Sequence, residues 1–223
     1  MTDAMVFPQY GHPIFGYAGG IPAVMKAVDA AGVKDENYEI AVKAYTRDPN
    51  RSAPHNLYTT TAALYKAAHE KGGQPAPVFT FDTSVPHPSK RVGYAHLDYS
   101  SSSDVYWRWN PKKQVWLRFH GTVPHMLEGN VQVSAKNVVV QMVKIVYPGQ
   151  KDVRGTLSPE AITVGTGKAY VFRNGRVIVG KWVRPKTSDV TQFETKGGEV
   201  IPLTPGNTWI ELFPKNLQVQ SGR

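Results

Sequence analysis

No cysteine occurs anywhere in the 223 residues. That absence excludes a disulfide framework, a thiolate nucleophile, a zinc–thiolate site and an iron–sulfur cluster. It fits either redox compartment and does not place the protein in one. Long apolar runs are also missing: none approaches the roughly 18 residues of a membrane helix. The start, Met1-Thr2-Asp3-Ala4-Met5-Val6-Phe7, has neither a basic nor an apolar leader region, so no signal peptide is visible. No Gly-x-Ser-x-Gly elbow supports a hydrolase serine. No His-x-x-x-His spacing supports a zinc hydrolase. Nothing in the sequence calls for a cofactor, a metal or a catalytic residue.

What is present is a core and an uneven charge. Aromatics make up 11% of the chain, enough to build an interior and to argue against wholesale disorder. The formal net charge is +9, from 26 Lys+Arg against 17 Asp+Glu. Residues 1–75 hold 7 of each sign, so the whole excess belongs to residues 76–223, as do all five Trp. The composition changes at Lys71-Gly72-Gly73-Gln74-Pro75-Ala76-Pro77, the best linker candidate. Two domains follow from this: 1–75, neutral and α/β, and 76–223, basic, Trp-bearing and β-rich.

The periodicities agree with that division. Met5–Phe7 and Pro13–Ala18 read as short strands. Pro22 opens a helix with Ala23, Val24, Ala27, Val28 and Ala31 on one face and Gly32 as its stop. Residues 38–45 suit helix or strand. A second helix is expected from Thr60 to about Lys71, capped by Thr59 or Thr60. Beyond it, Val105–Trp109 and Val115–Phe119 flank a polar turn as a hairpin. Residues 138–146 form a β-branched run suited to a buried central strand. Asn174-Gly175 is the strongest hairpin signal in the chain, because a type I′ turn needs positive φ at both positions. Glu199–Leu203 and Thr208–Phe213, joined by Thr204-Pro205-Gly206-Asn207, read as two more strands.

Six stretches occur in an order that resembles the YerB-like bacterial lipoprotein family. They are Tyr17-Ala18-Gly19-Gly20, Arg51-Ser52-Ala53-Pro54-His55-Asn56-Leu57-Tyr58-Thr59, Asn137-Val138-Val139-Val140-Gln141, Gly165-Thr166-Gly167-Lys168-Ala169-Tyr170-Val171-Phe172, Gly180-Lys181-Trp182 and Pro205-Gly206-Asn207-Thr208-Trp209-Ile210. The resemblance covers nearly the whole chain. It implies an α+β protein with an α/β N-terminal part and a mostly antiparallel β domain. It also implies a location outside the cytoplasmic membrane, anchored by lipid. On that comparison the chain begins inside the first domain. A lipoprotein signal and a segment rich in Arg and Ser then belong ahead of it. The molecular function of the family is not established.

Several residue groups are candidates for function. Arg51 offers a rigid donor fork for carboxylate or phosphate, His55 a proton near neutral pH, and Asn56 both a donor and an acceptor. With Tyr58 they are the leading ligand-binding candidates, expected to line a cleft between the two domains. The structural alternative is that Pro54 and Asn56 simply shape a turn that Arg51 and His55 tie down. His120 and His125, five residues apart across Gly121 and Pro124, could meet at a loop; the family resemblance implies an acid two residues after His125, where this chain has Leu127, so an acid partner there would have to be Glu128. In the aromatic hairpin, Trp107, Arg108 and Trp109, with Tyr106, Trp116 and Arg118, could stack rings and hold an acidic polymer. Alternation favours a plainer role: a core row of Trp side chains and a solvated face of Arg and Lys. Asp98 and Asp104 flank a serine run that suits a capped turn. Gly165-Thr166-Gly167-Lys168 superficially looks like a phosphate loop but leads into a strand, not a helix. Together these features predict a non-enzymatic cell-envelope binding or accessory protein, with a protein or an anionic envelope polymer as partner. Two alternatives stand beside it: an enzyme using His55 and Arg51 on an envelope substrate, and a nucleic-acid or anionic-polymer binder acting through the basic β domain.

Overall fold

The computed structural model describes residues 3–70, 78–84, 88–151 and 155–223. The linker candidate at 71–77 and His87 lie outside the described residues. The chain divides into two compact units, residues 1–78 with 187–190, and residues 79–186 with 191–223.

In the first unit, helix α1 (Pro22–Ala30) starts after Ile21, which is still extended, and places Pro22 in its first turn. There its missing N–H costs nothing. Gly32, just beyond the end, has φ +67°, a conformation that glycine adopts without strain. Helix α2 (Thr61–Ala67) is capped by Thr60, whose Oγ1 accepts from the Ala63 N–H at 3.1 Å. It ends short of Lys71, because His69 takes a left-handed conformation (φ 55°) and breaks the repeat. The expected strand at Met5–Phe7 is instead a pair of 3-10 turns, Asp3–Met5 and Phe7–Tyr10. Pro8 explains the second: its fixed φ suits the start of a helical turn and its nitrogen cannot serve a strand ladder. Of the expected strand at 13–18, Ile14–Phe15 is a strand, paired in parallel with Lys34–Asp35. The ambiguous stretch at 38–45 begins in a turn where Asn37 Oδ1 accepts from the Glu39 and Ile40 N–H groups, then forms a 3-10 turn at Val42–Ala44.

The second unit is built on two sheets. Among the described residues the first has six strands. Its order is Ser134–Ala135, Val115–His120, Ser103–Asn110, Tyr94–Ser100, Val219–Gly222, with Val123–Pro124 beside Val115–His120. The second has seven. Its central path runs Glu160–Ile162, Asn137–Val146, Gly165–Arg173, Arg176–Arg184, Gln192–Glu194, with Lys90–Arg91 pairing Arg176–Arg184. The inner faces meet in one core that contains Leu97, Val105, Trp107 and Trp116 from the first sheet and Val138, Val140, Phe172 and Phe213 from the second. The other face of the second sheet buries Val139, Val143, Val171, Ile178, Trp182 and Phe193 together with Ile201 and Leu203. Residues 137–143 are therefore buried on both faces, which is why Val138, Val139 and Val140 follow one another without polar alternation.

Asn174 and Gly175, at φ 50° and 64°, make the turn between Gly165–Arg173 and Arg176–Arg184 that the sequence predicts. One expected pairing is overturned. Residues 199–203 do not form a hairpin with Thr208–Pro214. That strand instead runs parallel to Asn137–Val146, with Val138 opposite Trp209 and Gln141 opposite Leu212. The β domain is thus mixed. Leu203 is taken by the segment before the first sheet: its N–H donates to Thr80 O and its carbonyl accepts from Asp82 N–H. Arg173 secures the same place by donating to the carbonyls of Pro202 and Asp82. No helix among the described residues is long and apolar enough to cross a membrane.

Candidate functional site

The Arg51–Tyr58 stretch forms the loop and return strand of a small hairpin, Tyr45–Arg47 against Leu57–Thr59. Asn56 points into it. Its Oδ1 accepts from Arg47 at 2.8 Å, its Nδ2 donates to Asp48 O at 3.3 Å, and its own carbonyl accepts from the Asp48 N–H. Asn56 is buried, so its polar atoms are spent on the hairpin. Arg51 and Tyr58 are exposed and face one another, with the guanidinium 5.7 Å from the ring centre. Arg51 also reaches Asp48 at 3.6 Å. His55 is exposed, and no described side chain hydrogen-bonds to it. The hairpin thus brings Arg51 and Tyr58 together and sets Asn56 apart from them.

The second cluster surrounds a buried ion pair. Arg118 Nε lies 3.3 Å from Glu211 Oε1, and both side chains are at most 10% exposed. Glu211 also accepts from Trp107 Nε1 at 3.0 Å and from the Tyr99 hydroxyl at 2.9 Å. Burial and the adjacent Glu211 carboxylate push the Tyr99 hydroxyl well above the usual phenol range. The Arg118 guanidinium lies over Trp209 at 5.2 Å and near Trp107 at 5.9 Å. One of its terminal nitrogens meets both His120 Nε2 (3.0 Å) and His125 Nδ1 (2.8 Å). A guanidinium only donates, so each imidazole nitrogen is the acceptor in these contacts. Partial burial, then Arg118, then His120 hold the His125 pKa below the usual imidazole range. His120 and His125 do meet, with ring centres 4.7 Å apart, and what stands between them is an arginine. Among the described residues no group of three His, Asp or Glu side chains could hold a metal ion.

Arg118 corrects the expectation of a solvated Arg and Lys face. It shares parity with Trp116 on the Val115–His120 strand and so faces inward, as Trp107 does. Trp109 also faces inward and packs on Trp116 at 5.2 Å, though it is only half-buried. The alternation of Trp116 and Arg118 was a signal for this. Tyr99, Trp209 and Glu211, from distant parts of the chain, carried none.

The opposite face of the same sheet carries a different set of residues. Arg108 is exposed there, 4.7 Å from the Phe119 ring centre and 5.5 Å from that of Tyr106. Tyr106 stacks on His96 at 4.0 Å with the planes 5° apart. His96 Nε2 lies 2.6 Å from Asp104 Oδ1, an acid–His pair that no sequence spacing marked. Asp98 stands opposite Asp104 in the strand register. The loop-like Gly165–Lys168 is strand, and Gly167 has a packing role: a Cβ there would stand 2.5 Å from Trp182 Nε1, which donates to Met142 O at 2.8 Å.

Comparison with known proteins gives consistent results. Residues 95–210 match the C-terminal domain, and residues 1–74 the N-terminal domain, of a protein of unknown function (DUF3048). The chain is 24% identical over 212 residues to YerB of Bacillus subtilis (strain 168), provisionally named a lipoprotein. That alignment takes in 90% of this chain and 61% of the relative, so the chain spans less than two thirds of the relative's length. The crystal structure of the Bacillus subtilis YerB protein shares the fold, with a TM-score of 0.74 at 21% identity, covering 97% of this chain and 73% of that one.

Proposed function

The chain belongs to the DUF3048 family, whose function is unknown, and from that premise we propose that it is a non-enzymatic binding protein of the cell envelope. It holds an anionic polymer on the outer face of the six-stranded sheet. The observation that carries this is Arg108, exposed and lying over both Tyr106 and Phe119. Aromatic faces accept sugar rings or bases, and a guanidinium beside them holds acidic groups. The charge agrees, since the whole +9 falls within residues 76–223. The envelope assignment rests on the likeness to a relative named as a lipoprotein.

Binding of the full chain to a labelled poly(glycerol phosphate) tests this. Affinity should fall steeply between about 50 and about 200 mM salt, as counterions are released. Arg108→Ala and Tyr106→Ala should each weaken binding several-fold. No binding at the lower salt sinks the proposal. Tighter binding to a single-stranded oligonucleotide would put the nucleic-acid alternative in its place.

A second reading keeps Arg51, His55 and Tyr58 as ligand contacts, favoured by the exposed Arg51–Tyr58 pair. For the enzymatic alternative, His55 would be the acid or base. Such a group normally has a partner that orients it, and no described side chain does this for His55.

A further inference from the structure

A groove of about 570 Å³ opens beside the Asn174-Gly175 turn, on the side of the first sheet opposite to Arg108. Its walls are Arg91, Trp109, Asn174 and Arg176, with Gly93 and Gly175 as the side-chain-free floor. Neighbouring residues on a strand point to opposite faces, so Trp109 and Arg108 cannot serve the same surface.

Two features of the groove call for an occupant. Arg91 and Arg176 stand directly opposite each other in antiparallel register. Like charges so placed repel, and among the described residues no carboxylate pairs with either. Arg176 is nevertheless held in position, its Nε donating to Ser89 Oγ at 2.8 Å and a terminal nitrogen to Ser89 O at 3.0 Å. Arg223 also lines the groove, its main-chain carbonyl carbon 3.5 Å from where a Cβ on Gly93 would stand. The second feature is Trp109. Its ring is fixed against Trp116, yet its Nε1 has no acceptor among the described residues. A Cβ at position 175 would come within 2.7 Å of that nitrogen, so glycine is what lets the indole approach the turn.

We infer that this groove is a binding site for a phosphorylated sugar. More than one unpaired guanidinium suits a dianionic phosphate better than a single carboxylate, because the planar forks match phosphate oxygens. A fixed, half-exposed indole offers an apolar face to the sugar ring and an N–H donor to a hydroxyl or phosphate oxygen. The volume lies within the ordinary range of small-molecule sites. The site is independent of the polymer-binding face, since Arg108 and Tyr106 take no part in it.

Calorimetric titration of the full chain with glucose 1-phosphate, inorganic phosphate and glucose tests the assignment. Glucose 1-phosphate should bind, inorganic phosphate on the order of tenfold more weakly, and glucose not measurably. Arg91→Gln should weaken both phosphates by on the order of tenfold. Trp109→Phe, which keeps the packing on Trp116, should narrow the gap between glucose 1-phosphate and inorganic phosphate. Arg108→Ala should leave all three unchanged, whatever it does to polymer binding. The assignment is overturned if glucose 1-phosphate does not bind, if glucose binds as well as its phosphate, or if Arg91→Gln binds like the parent chain.

Discussion

Arg118 and Glu211 join the two sheets of the second unit through a buried ion pair at 3.3 Å, across 93 residues of sequence. Glu211 is also the acceptor for Trp107 and Tyr99, so one carboxylate satisfies three donors. Glu211→Ala should therefore cost about 3–5 kcal/mol, because it leaves a buried guanidinium uncompensated. Arg118→Met with Glu211→Met should recover part of that loss. Urea unfolding of the single and double variants measures both. A loss below about 1 kcal/mol for Glu211→Ala would show that the pair does not hold the sheets together.

His125 should make stability depend on pH. Its folded pKa lies below the ordinary value, through partial burial and then the neighbouring Arg118. Below about pH 6.5 the unfolded chain takes up a proton that the folded one resists. Its contribution is thus present above that pH and lost as pH falls through the folded pKa. His125→Gln should remove this part of the decline between about pH 7 and pH 5.5. Thermal midpoints across that range, compared with the parent chain, measure it. Equal slopes would mean that His125 is not held neutral.

Asn56 and His55 should separate cleanly. Asn56→Ala removes two side-chain hydrogen bonds from the hairpin and should destabilise the first unit by about 1–3 kcal/mol. His55→Ala, at an exposed position, should leave the midpoint within about 0.5 kcal/mol. Hydrogen exchange at Tyr45–Arg47 and Leu57–Thr59 reads the difference locally. A large loss for His55→Ala would assign that ring a structural role.

Much of the local architecture was legible in the residues themselves. Pro22 and Gly32 bound a helix, Thr60 caps another, and Asn174-Gly175 turns a hairpin, each because backbone conformation at those positions is a local property. The apolar run at 138–146 revealed a central strand for the same reason. The alternation of Trp107 with Arg108 gave the faces of its strand, but Arg118, expected on the solvated face, lies buried beside Trp116 on the inner one.

Long-range partners were not legible. Thr208–Pro214 reads as a strand from its own residues, but its parallel match to Asn137–Val146 depends on where Leu203 is held. The same applies to function. The Arg51–Tyr58 motif stands out in the sequence, yet the hairpin turns Asn56 inward and leaves Arg51 and Tyr58 outside. The groove at Trp109 joins a strand, a turn and Arg91, which no motif links.

By itself, then, the sequence determined the helices and turns, the β-rich character of the second part and where the charge lies, because these depend on neighbouring residues. Only the tertiary structure decided which charges are buried in pairs and which stand unpaired in a groove. Those depend on the register and stacking of strands that the chain brings together from far apart.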